Sequence, residues 1–171
     1  MNEEVTVATS GEMRDLGRRL AALLRAGDLI IVTGPLGAGK TTLTQGIGAG
    51  LSVRGPVTSP TFVISRVHPR AGGGSGPALV HVDAYRLGSV LELDDIDLDA
   101  DTDMAVTVVE WGEGLAEGLA DDRLDVTISS ADDPQADSSL EGDSPRTVRI
   151  TGVGARWQDI QLTRAGVIDR L

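Results

Sequence analysis

A lysine and a threonine that follow a glycine-rich turn are the residues of this sequence best suited to chemistry. Residues 34–41 read Gly-Pro-Leu-Gly-Ala-Gly-Lys-Thr and match the phosphate-binding pattern Gly-x4-Gly-Lys-Ser/Thr at every fixed position. In such a loop the backbone amides surround a phosphate, the lysine reaches the β- and γ-phosphates, and the hydroxyl ligates Mg²⁺. The pattern predicts a nucleoside triphosphate site at Lys40 and Thr41.

The residues around this loop have the patterns expected of a strand and a helix. The apolar run 29–32 enters the loop, and a helix-compatible segment, 40–50, leaves it. The amino terminus of that helix adds a partial positive charge beside the phosphates. Gly46 and Gly48 lower its helical propensity, so we expect packing to stabilise it. A chance glycine-rich turn is the alternative, and the ordered strand, loop, lysine and hydroxyl argue against it.

Two further apolar segments end in a carboxylate. Residues 79–83 end at Asp83 and residues 105–110 end at Glu110. Because the carboxyl ends of parallel strands meet at one edge of a sheet, both carboxylates could reach a loop-bound Mg²⁺. The alternative for each is a solvated acid at a strand corner, but two strands ending alike favour function. The generic scheme for phosphate-binding loops gives the metal to Asp83.

Other polar and aromatic residues near these motifs leave alternatives open. Residues 58–61, Thr-Ser-Pro-Thr, occupy the place of a γ-phosphate sensor, or of an ordinary proline turn. Arg86 is either a phosphate contact or a surface ion-pair partner, and Trp111 is a core residue or a lid. We interpret His68, in a predicted loop, and His81, on a predicted strand, as inert.

The order of the predicted elements indicates an α/β protein with a P-loop NTPase-like three-layer fold. A helix over 11–25, capped by Ser10, precedes the loop. The sheet is predicted to be mixed, parallel around the loop and antiparallel toward the edge. A short strand or arm is predicted at 5–10. Strands are predicted at 29–32, 62–67, 79–83, 105–110, 123–129 and 147–153, with a short helix ending at about residue 120.

The predicted domain covers residues 1–153, and residues 154–171 are predicted to form a C-terminal helical segment that packs on the same domain or trails from it. The glycine-rich segment 70–77 is predicted to form a hairpin tip. Residues 89–103 are acidic, and residues 130–145 are predicted to form a loop rich in Asp, Ser and Pro.

The composition excludes several classes of function. The 171 residues suffice for one domain, and the lack of cysteine excludes disulfides, thiolate metal sites and cysteine nucleophiles. The net charge of −11 opposes direct nucleic-acid binding and favours a basic protein partner. The amino terminus is acidic, and no apolar run approaches the ~20 residues that span a bilayer. We therefore expect a cytoplasmic protein without a membrane partner.

Four motifs together carry a resemblance to a known family. These are the loop at 34–42, Ser-Pro-Thr-Phe at 59–62, His-x-Asp-x-Tyr-Arg at 81–86 and Val-Glu-Trp at 109–111. In order and spacing the chain resembles the TsaE family, also called YjeE, over about residues 5–130. The resemblance implies an ATPase needed for N6-threonylcarbamoyladenosine (t6A) at position 37 of tRNAs that read codons beginning with A. It implies work with the TsaD–TsaB complex, which would hold the tRNA.

The resemblance also implies roles for particular residues. Lys40, Asp83 and Glu110 would be catalytic, and Thr41 and Glu110 would hold Mg²⁺, which differs from the generic scheme at Asp83. Ser59 and Thr61 would lie in a switch-like loop, and Trp111 would cover the nucleotide or the partner surface. The residues implied to bind ATP or ADP are Ser10, Leu36, Gly37, Ala38, Gly39, Lys40, Thr41 and Thr42.

Two other functions remain to be weighed against this ATPase. A small-molecule kinase would use the same loop, but an arginine-rich lid and an acceptor pocket are not recognisable in the sequence. A non-hydrolysing module would bind ATP or ADP and signal through loop order. Because no arginine finger is evident, we expect an ATPase that is slow alone and faster with a partner.

Overall fold

The computed structural model describes residues 1–60, 63–73, 76–87, 89, 104–130 and 145–162. Within these residues a single sheet is accompanied by two α-helices. The elements are β1 (Asn2–Val7), α1 (Ser10–Ala21), β2 (Leu29–Thr33), α2 (Lys40–Gly50), β3 (Ser65–His68), β4 (Ala78–Asp83), β5 (Ala105–Glu110), β6 (Arg123–Ser130) and β7 (Arg146–Val153). No helix among the described residues is long and apolar enough to cross a membrane.

The seven strands form one mixed sheet in the order β1-β7-β6-β2-β5-β4-β3. The four central strands β6, β2, β5 and β4 run parallel to one another. The outer pairs β1–β7, β6–β7 and β3–β4 are antiparallel. The predicted α/β class and mixed sheet are confirmed, with antiparallel strands at both edges. The parallel centre places the ends of β2, β4 and β5 at one edge of the sheet.

Both helices pack on one face of the sheet. Apolar side chains of α1 and α2, such as Leu16, Leu20 and Leu43, share a core cluster with Ile30 and Val32 of β2. The opposite face has a second cluster, which includes Ile31, Val82 and Val109 and packs against Ala116. The predicted short helix before residue 120 is a single 3-10 turn over Glu117–Leu119.

Close contact between the helices explains the glycines of α2. A Cβ on Gly46 would overlap the carbonyl oxygen of Arg14 in α1, and one on Gly17 would lie 2.8 Å from the backbone nitrogen of Ile47. A Cβ on Gly48 would lie 2.7 Å from Val57 Cγ2. The low propensity of α2 is thus offset by close packing, as the sequence predicted.

The start of α1 differs from the prediction. Thr9, not Ser10, is the N-cap, since its Oγ1 accepts a hydrogen bond from the backbone N–H of Glu12 at 3.1 Å. The Glu12 carboxylate accepts in return from the backbone N–H of Ala8, the residue before the cap, at 2.6 Å, a reciprocal contact close to that of a capping box. Ser10 is therefore the first helical residue, and the helix ends at Ala21 rather than Arg25.

Strand β3 begins later than predicted because a turn precedes it. The carbonyl oxygen of Pro60 accepts hydrogen bonds from the N–H groups of Val63 and Ile64, at 2.9 and 2.7 Å. Ile64 has a φ of 68°, which is incompatible with an extended strand. The prediction of a strand over 62–67 is therefore wrong at its start. His68, predicted to lie in a loop, is the buried last residue of β3.

The C-terminal segment is only partly helical in the described residues. A 3-10 turn covers Ala155–Trp157, and residues 160–162 are not helical. Trp157 is fully buried in the helix-side core, and its carbonyl oxygen accepts a hydrogen bond from the amino terminus of Met1 at 2.6 Å. The rest of the predicted helix, residues 163–171, lies outside the described residues. So do residues 74–75, 90–103 and 131–144 of the predicted loops.

Candidate functional site

A glycine loop, defined here as residues 34–41, joins the end of β2 to the start of α2. Gly37 and Gly39 have φ values of 75° and 106°, conformations that side chains disfavour, so the chain can turn sharply before α2. Gly39 is the N-cap of α2 and provides no side-chain cap. The amino terminus of α2 and the preceding amides therefore form a surface of the kind that binds phosphate.

Lys40 lies near the end of this loop, as the first residue of α2, and is buried. Its Nζ donates hydrogen bonds to the carbonyl oxygens of Gly34 at 2.7 Å and Pro35 at 2.8 Å. It also lies 3.7 Å from the ring centroid of Trp111, a cation–π contact. Burial lowers the pKa of Lys40, while the charges of Glu110 and Asp83 act in the opposite direction. The ammonium group thus lies within electrostatic range of both carboxylates, and all three side chains line one cavity.

The carboxylate of Glu110 divides its two oxygens between different partners. Oε2 accepts a hydrogen bond from Thr41 Oγ1 at 3.0 Å. Oε1 lies 2.7 Å from His81 Nε2 and 3.4 Å from Thr44 Oγ1. The single hydroxyl proton of Thr44 has a nearer acceptor, the Lys40 carbonyl oxygen at 3.0 Å, so His81 is the main partner of Oε1.

Asp83 stands beside Glu110 at the sheet edge, because the two residues are paired in the register of β4 and β5. Its Oδ1 accepts from the backbone N–H of Tyr85 at 3.1 Å and caps a 3-10 turn over Ala84–Arg86. Its Oδ2 accepts from Ser59 Oγ at 3.2 Å. The loop before β3 is thereby attached to the second carboxylate.

Trp111 lies at one side of the cluster formed by Lys40, Asp83 and Glu110. Its φ of 62° is unusual for a residue with a side chain and costs about 1–3 kcal/mol. Its backbone N–H donates to the carbonyl oxygen of Val32 at 3.0 Å, and its ring lies 5.1 Å from that of Tyr85. The strained backbone directs the indole over Lys40, so the structure favours the predicted lid over a core position.

Two cavities adjoin the glycine loop on different sides. The first, here called the carboxylate cavity, is lined by Leu36, Gly37, Gly39, Lys40, Thr41, Thr42, Ser59, Asp83, Glu110 and Trp111. The second, here called the Ser10 cavity, is lined by Val7, Ala8, Thr9, Ser10, Met13, Gly37, Ala38, Gly39, Thr42 and Arg146. The residues that the resemblance implies to bind ATP, ADP or Mg²⁺ therefore all line one of these two cavities. Thr61 lies outside the described residues.

Some sequence interpretations change at this site. His81 was interpreted as inert, yet it is fully buried and bonded to Glu110. The signal was its position two residues before Asp83, on the same face of β4. Arg86, for which two roles were open, is exposed and does not line the carboxylate cavity.

His68 has a shifted pKa. Burial is the main cause that lowers the pKa of His68, and the charges of His81 and Arg66 lower it further.

Fold and site together define an α/β protein whose glycine loop, buried lysine and paired carboxylates meet at the carboxyl edge of parallel strands. Comparison with known families gives a particular assignment. A model of the family described as "Threonylcarbamoyl adenosine biosynthesis protein TsaE" matches residues 7–138. The chain belongs to the TsaE family, which takes part in t6A biosynthesis on tRNA, and the resemblance in the sequence motifs is confirmed.

Individual relatives agree with this assignment. A TsaE protein of Streptomyces coelicolor is 59% identical over 146 residues, which cover 85% of this chain and 93% of the relative. One of Bacillus subtilis is 34% identical over 148 residues, covering 86% and 84%. The crystal structure of Bacillus subtilis YdiB is similar with a TM-score of 0.68 and 28% identity, covering 92% of this chain and 89% of that one.

Proposed function

We propose that this chain is a Mg²⁺-dependent ATPase that acts with the TsaD–TsaB complex in forming t6A at position 37 of tRNAs that read codons beginning with A. The observation that carries the proposal is the bond between Thr41 Oγ1 and Glu110 Oε2 beside the buried Lys40. A hydroxyl, a carboxylate and a lysine at the end of a glycine loop are the groups that P-loop ATPases use.

The residues present fit a magnesium ion. Mg²⁺ prefers oxygen ligands and is usually held by one or two protein groups together with phosphate oxygens and water. Thr41 Oγ1 and Glu110 Oε2 provide two oxygens only 3.0 Å apart at the wall of the carboxylate cavity. Bound there, Mg²⁺ would neutralise charge on the β- and γ-phosphates. Asp83, the neighbour of Glu110 in the sheet, remains available for a different role.

The glycine loop would bind the phosphates through its backbone amides. Lys40 would exchange its contacts with Gly34 and Pro35 for the β- and γ-phosphates, which are charged and therefore stronger acceptors than carbonyl groups. The Ser10 cavity adjoins the same loop glycines and Thr42, which supports our proposal that it would take the ribose and base. In this arrangement Ser10, which lines the cavity, would contact the nucleotide beyond its phosphates.

Asp83 is the residue suited to orient the attacking water. It is buried, it borders the carboxylate cavity, and both of its oxygens are held in place, one by Tyr85 N–H and one by Ser59 Oγ. A fixed carboxylate at hydrogen-bonding distance from a water can position it and accept its proton. Ser59 links this carboxylate to the loop before β3, which gives the loop a way to respond to the nucleotide.

Hydrolysis by the chain alone is proposed to be slow. No arginine is among the described residues that line the carboxylate cavity, and an arginine finger contributes 10³–10⁵-fold to related reactions. Leu36 and Tyr85 near this cavity are 81% and 65% exposed, an apolar surface suited to a protein partner. The net charge of −11 favours contact with tRNA only through TsaD and TsaB.

Reconstituted tRNA modification tests this function. A reaction containing acceptor tRNA, a threonylcarbamoyl donor, the cognate TsaD–TsaB pair, ATP and Mg²⁺ should form more t6A when the chain is added, and Lys40→Ala should abolish the gain. Phosphorylation of a metabolite in place of tRNA modification would instead indicate a kinase. Full support by Lys40→Ala would indicate a module that does not need its phosphate loop.

A further inference from the structure

We propose that His81 is a positioning residue for Glu110: its Nε2–H fixes Oε1, so that Oε2 stays directed at Thr41 and the metal position. This inference rests on the proposed function, since it assigns a task to Glu110 that only Mg²⁺ binding requires. His81 belongs to none of the groups that would touch nucleotide or metal. It acts through Glu110 alone.

The placement of His81 follows from the sheet. In the parallel register of β4 and β5, His81 pairs with Val108 and Asp83 pairs with Glu110. Since alternate residues of a strand share a face, His81 and Asp83 project to the same side as Glu110. The imidazole is 0% exposed, and its Nε2 lies 2.7 Å from Glu110 Oε1. The contact is therefore fixed by two strands rather than by a mobile loop.

The bond pattern gives each oxygen of Glu110 a separate environment. Oε1 is turned into the protein toward His81, and Oε2 is turned toward Thr41 at the cavity. Without the imidazole, the main restraint on Oε1 is gone, because Thr44 has a nearer acceptor in the Lys40 carbonyl oxygen. The carboxylate could then rotate about its last side-chain bond and move Oε2 away from Thr41.

The environment of the other imidazole nitrogen indicates that His81 does not occupy this position in order to stabilise the fold. His81 Nδ1 is buried and has no hydrogen-bond partner among the described residues. A buried polar atom without a partner destabilises the fold, and an apolar side chain in the same strand would avoid that loss. The residue is consistent instead with the histidine–carboxylate contacts that orient ligands around protein-bound metals, whose loss lowers metal affinity 10–100-fold.

Two amide substitutions separate this role from a general effect on folding. In His81→Gln the side-chain amide nitrogen falls near the place of Nε2 and keeps a donor for Glu110. In His81→Asn the amide reaches only the place of Nδ1, where no partner lies. The probe is a non-hydrolysable ATP analogue, adenylyl imidodiphosphate, titrated calorimetrically with and without Mg²⁺.

We expect the substitution to reduce only the gain in analogue affinity that Mg²⁺ causes. In His81→Asn the gain in analogue affinity caused by Mg²⁺ should fall about 10–100-fold, while affinity without Mg²⁺ stays at the wild-type value. His81→Gln should retain most of the gain. If His81→Asn does not fold, as judged by thermal unfolding, His81→Leu gives the same test, since leucine fills the apolar volume without a donor.

Three results would overturn the inference. These are a wild-type Mg²⁺ gain in His81→Asn, an equal loss of affinity with and without Mg²⁺, and failure of His81→Gln to retain what His81→Asn loses. A wild-type chain whose affinity does not depend on Mg²⁺ would instead refute the proposed function itself. The His81 variants therefore test the positioning role, and the wild-type chain tests the proposed function.

Discussion

Thr41 Oγ1 lies 3.0 Å from Glu110 Oε2, although 69 positions separate the two residues in the sequence. Parallel pairing of β2 with β5 sets Val32 beside Glu110, and the glycine loop returns the chain so that α2 starts against the same sheet edge. The contact therefore depends on the fold as a whole, and it joins the two groups proposed to hold Mg²⁺.

The hydroxyl of Thr41 should be needed for magnesium but not for folding. Thr41→Val keeps the shape of the side chain and removes the oxygen, so the Mg²⁺-dependent gain in nucleotide affinity should fall about tenfold or more. Thr41→Ser keeps the oxygen and should behave like the wild type. Isothermal titration with ADP, at several Mg²⁺ concentrations, measures both. Equal Mg²⁺ dependence in valine and serine variants would contradict the ligand assignment.

Asp83 should act on turnover more than on binding. Asp83→Asn keeps an acceptor for Tyr85 N–H but removes the charge, so partner-stimulated phosphate release should fall about 100-fold or more. The dissociation constant of ADP should change little, because the proposed phosphate contacts come from the glycine loop. Ser59→Ala, which removes one hydrogen bond to Asp83, should have a smaller effect in the same assay. A variant that hydrolyses normally would remove Asp83 from the mechanism.

The contact between α1 and α2 makes Gly46 sensitive to a single methyl group. A Cβ there would lie 2.9 Å from Arg14 Cα and overlap its carbonyl oxygen, so Gly46→Ala should lower the free energy of unfolding by about 1–3 kcal/mol. Gly11 is a matched control in α1, since its Cβ would meet only Thr9 Oγ1 at 3.6 Å. Gly11→Ala should be neutral or stabilising by up to about 1 kcal/mol. Urea unfolding of both variants decides the comparison.

His68 should make the fold sensitive to acid. Burial lowers its pKa in the folded state below the ordinary value of about 6.5, so the unfolded chain binds more protons as the pH falls. Its contribution is therefore complete above pH ~6.5 and is lost as the pH falls from there through the folded pKa. His68→Gln should reduce the difference between urea midpoints measured at pH 7.5 and 5.5. An unchanged difference would show that other groups cause the acid sensitivity.

The glycine loop and the two strand-end carboxylates could be predicted because their signals are local. The loop pattern is continuous, and Asp83 and Glu110 each end an apolar run. The cap of α1 could also have been predicted, since Thr9 and Glu12 have capping-box spacing and Ser10 does not. The prediction of Ser10 as the cap overlooked Glu12, which lies three residues after Thr9 and so favours Thr9 over the adjacent Ser10.

The alternation along β4 places His81 on the same face as Asp83, but its contact with Glu110 could not be derived from periodicity, because Glu110 belongs to another strand. The contact with Glu110 needs the register of β4 against β5, which the sequence does not encode locally. The late start of β3 has a similar cause. The backbone turn at Pro60 and the positive φ of Ile64 override the strand propensity of the β-branched residues that follow Pro60.

The most direct test of the proposed partner-dependent ATPase is the rate of phosphate release from ATP by the chain alone and with its cognate TsaD–TsaB pair, using Lys40→Ala in both conditions. We expect slow release alone, an increase with the pair that requires Mg²⁺, and loss of that increase in Lys40→Ala. An equal rate with and without the pair, or a wild-type rate in Lys40→Ala, would contradict the proposal.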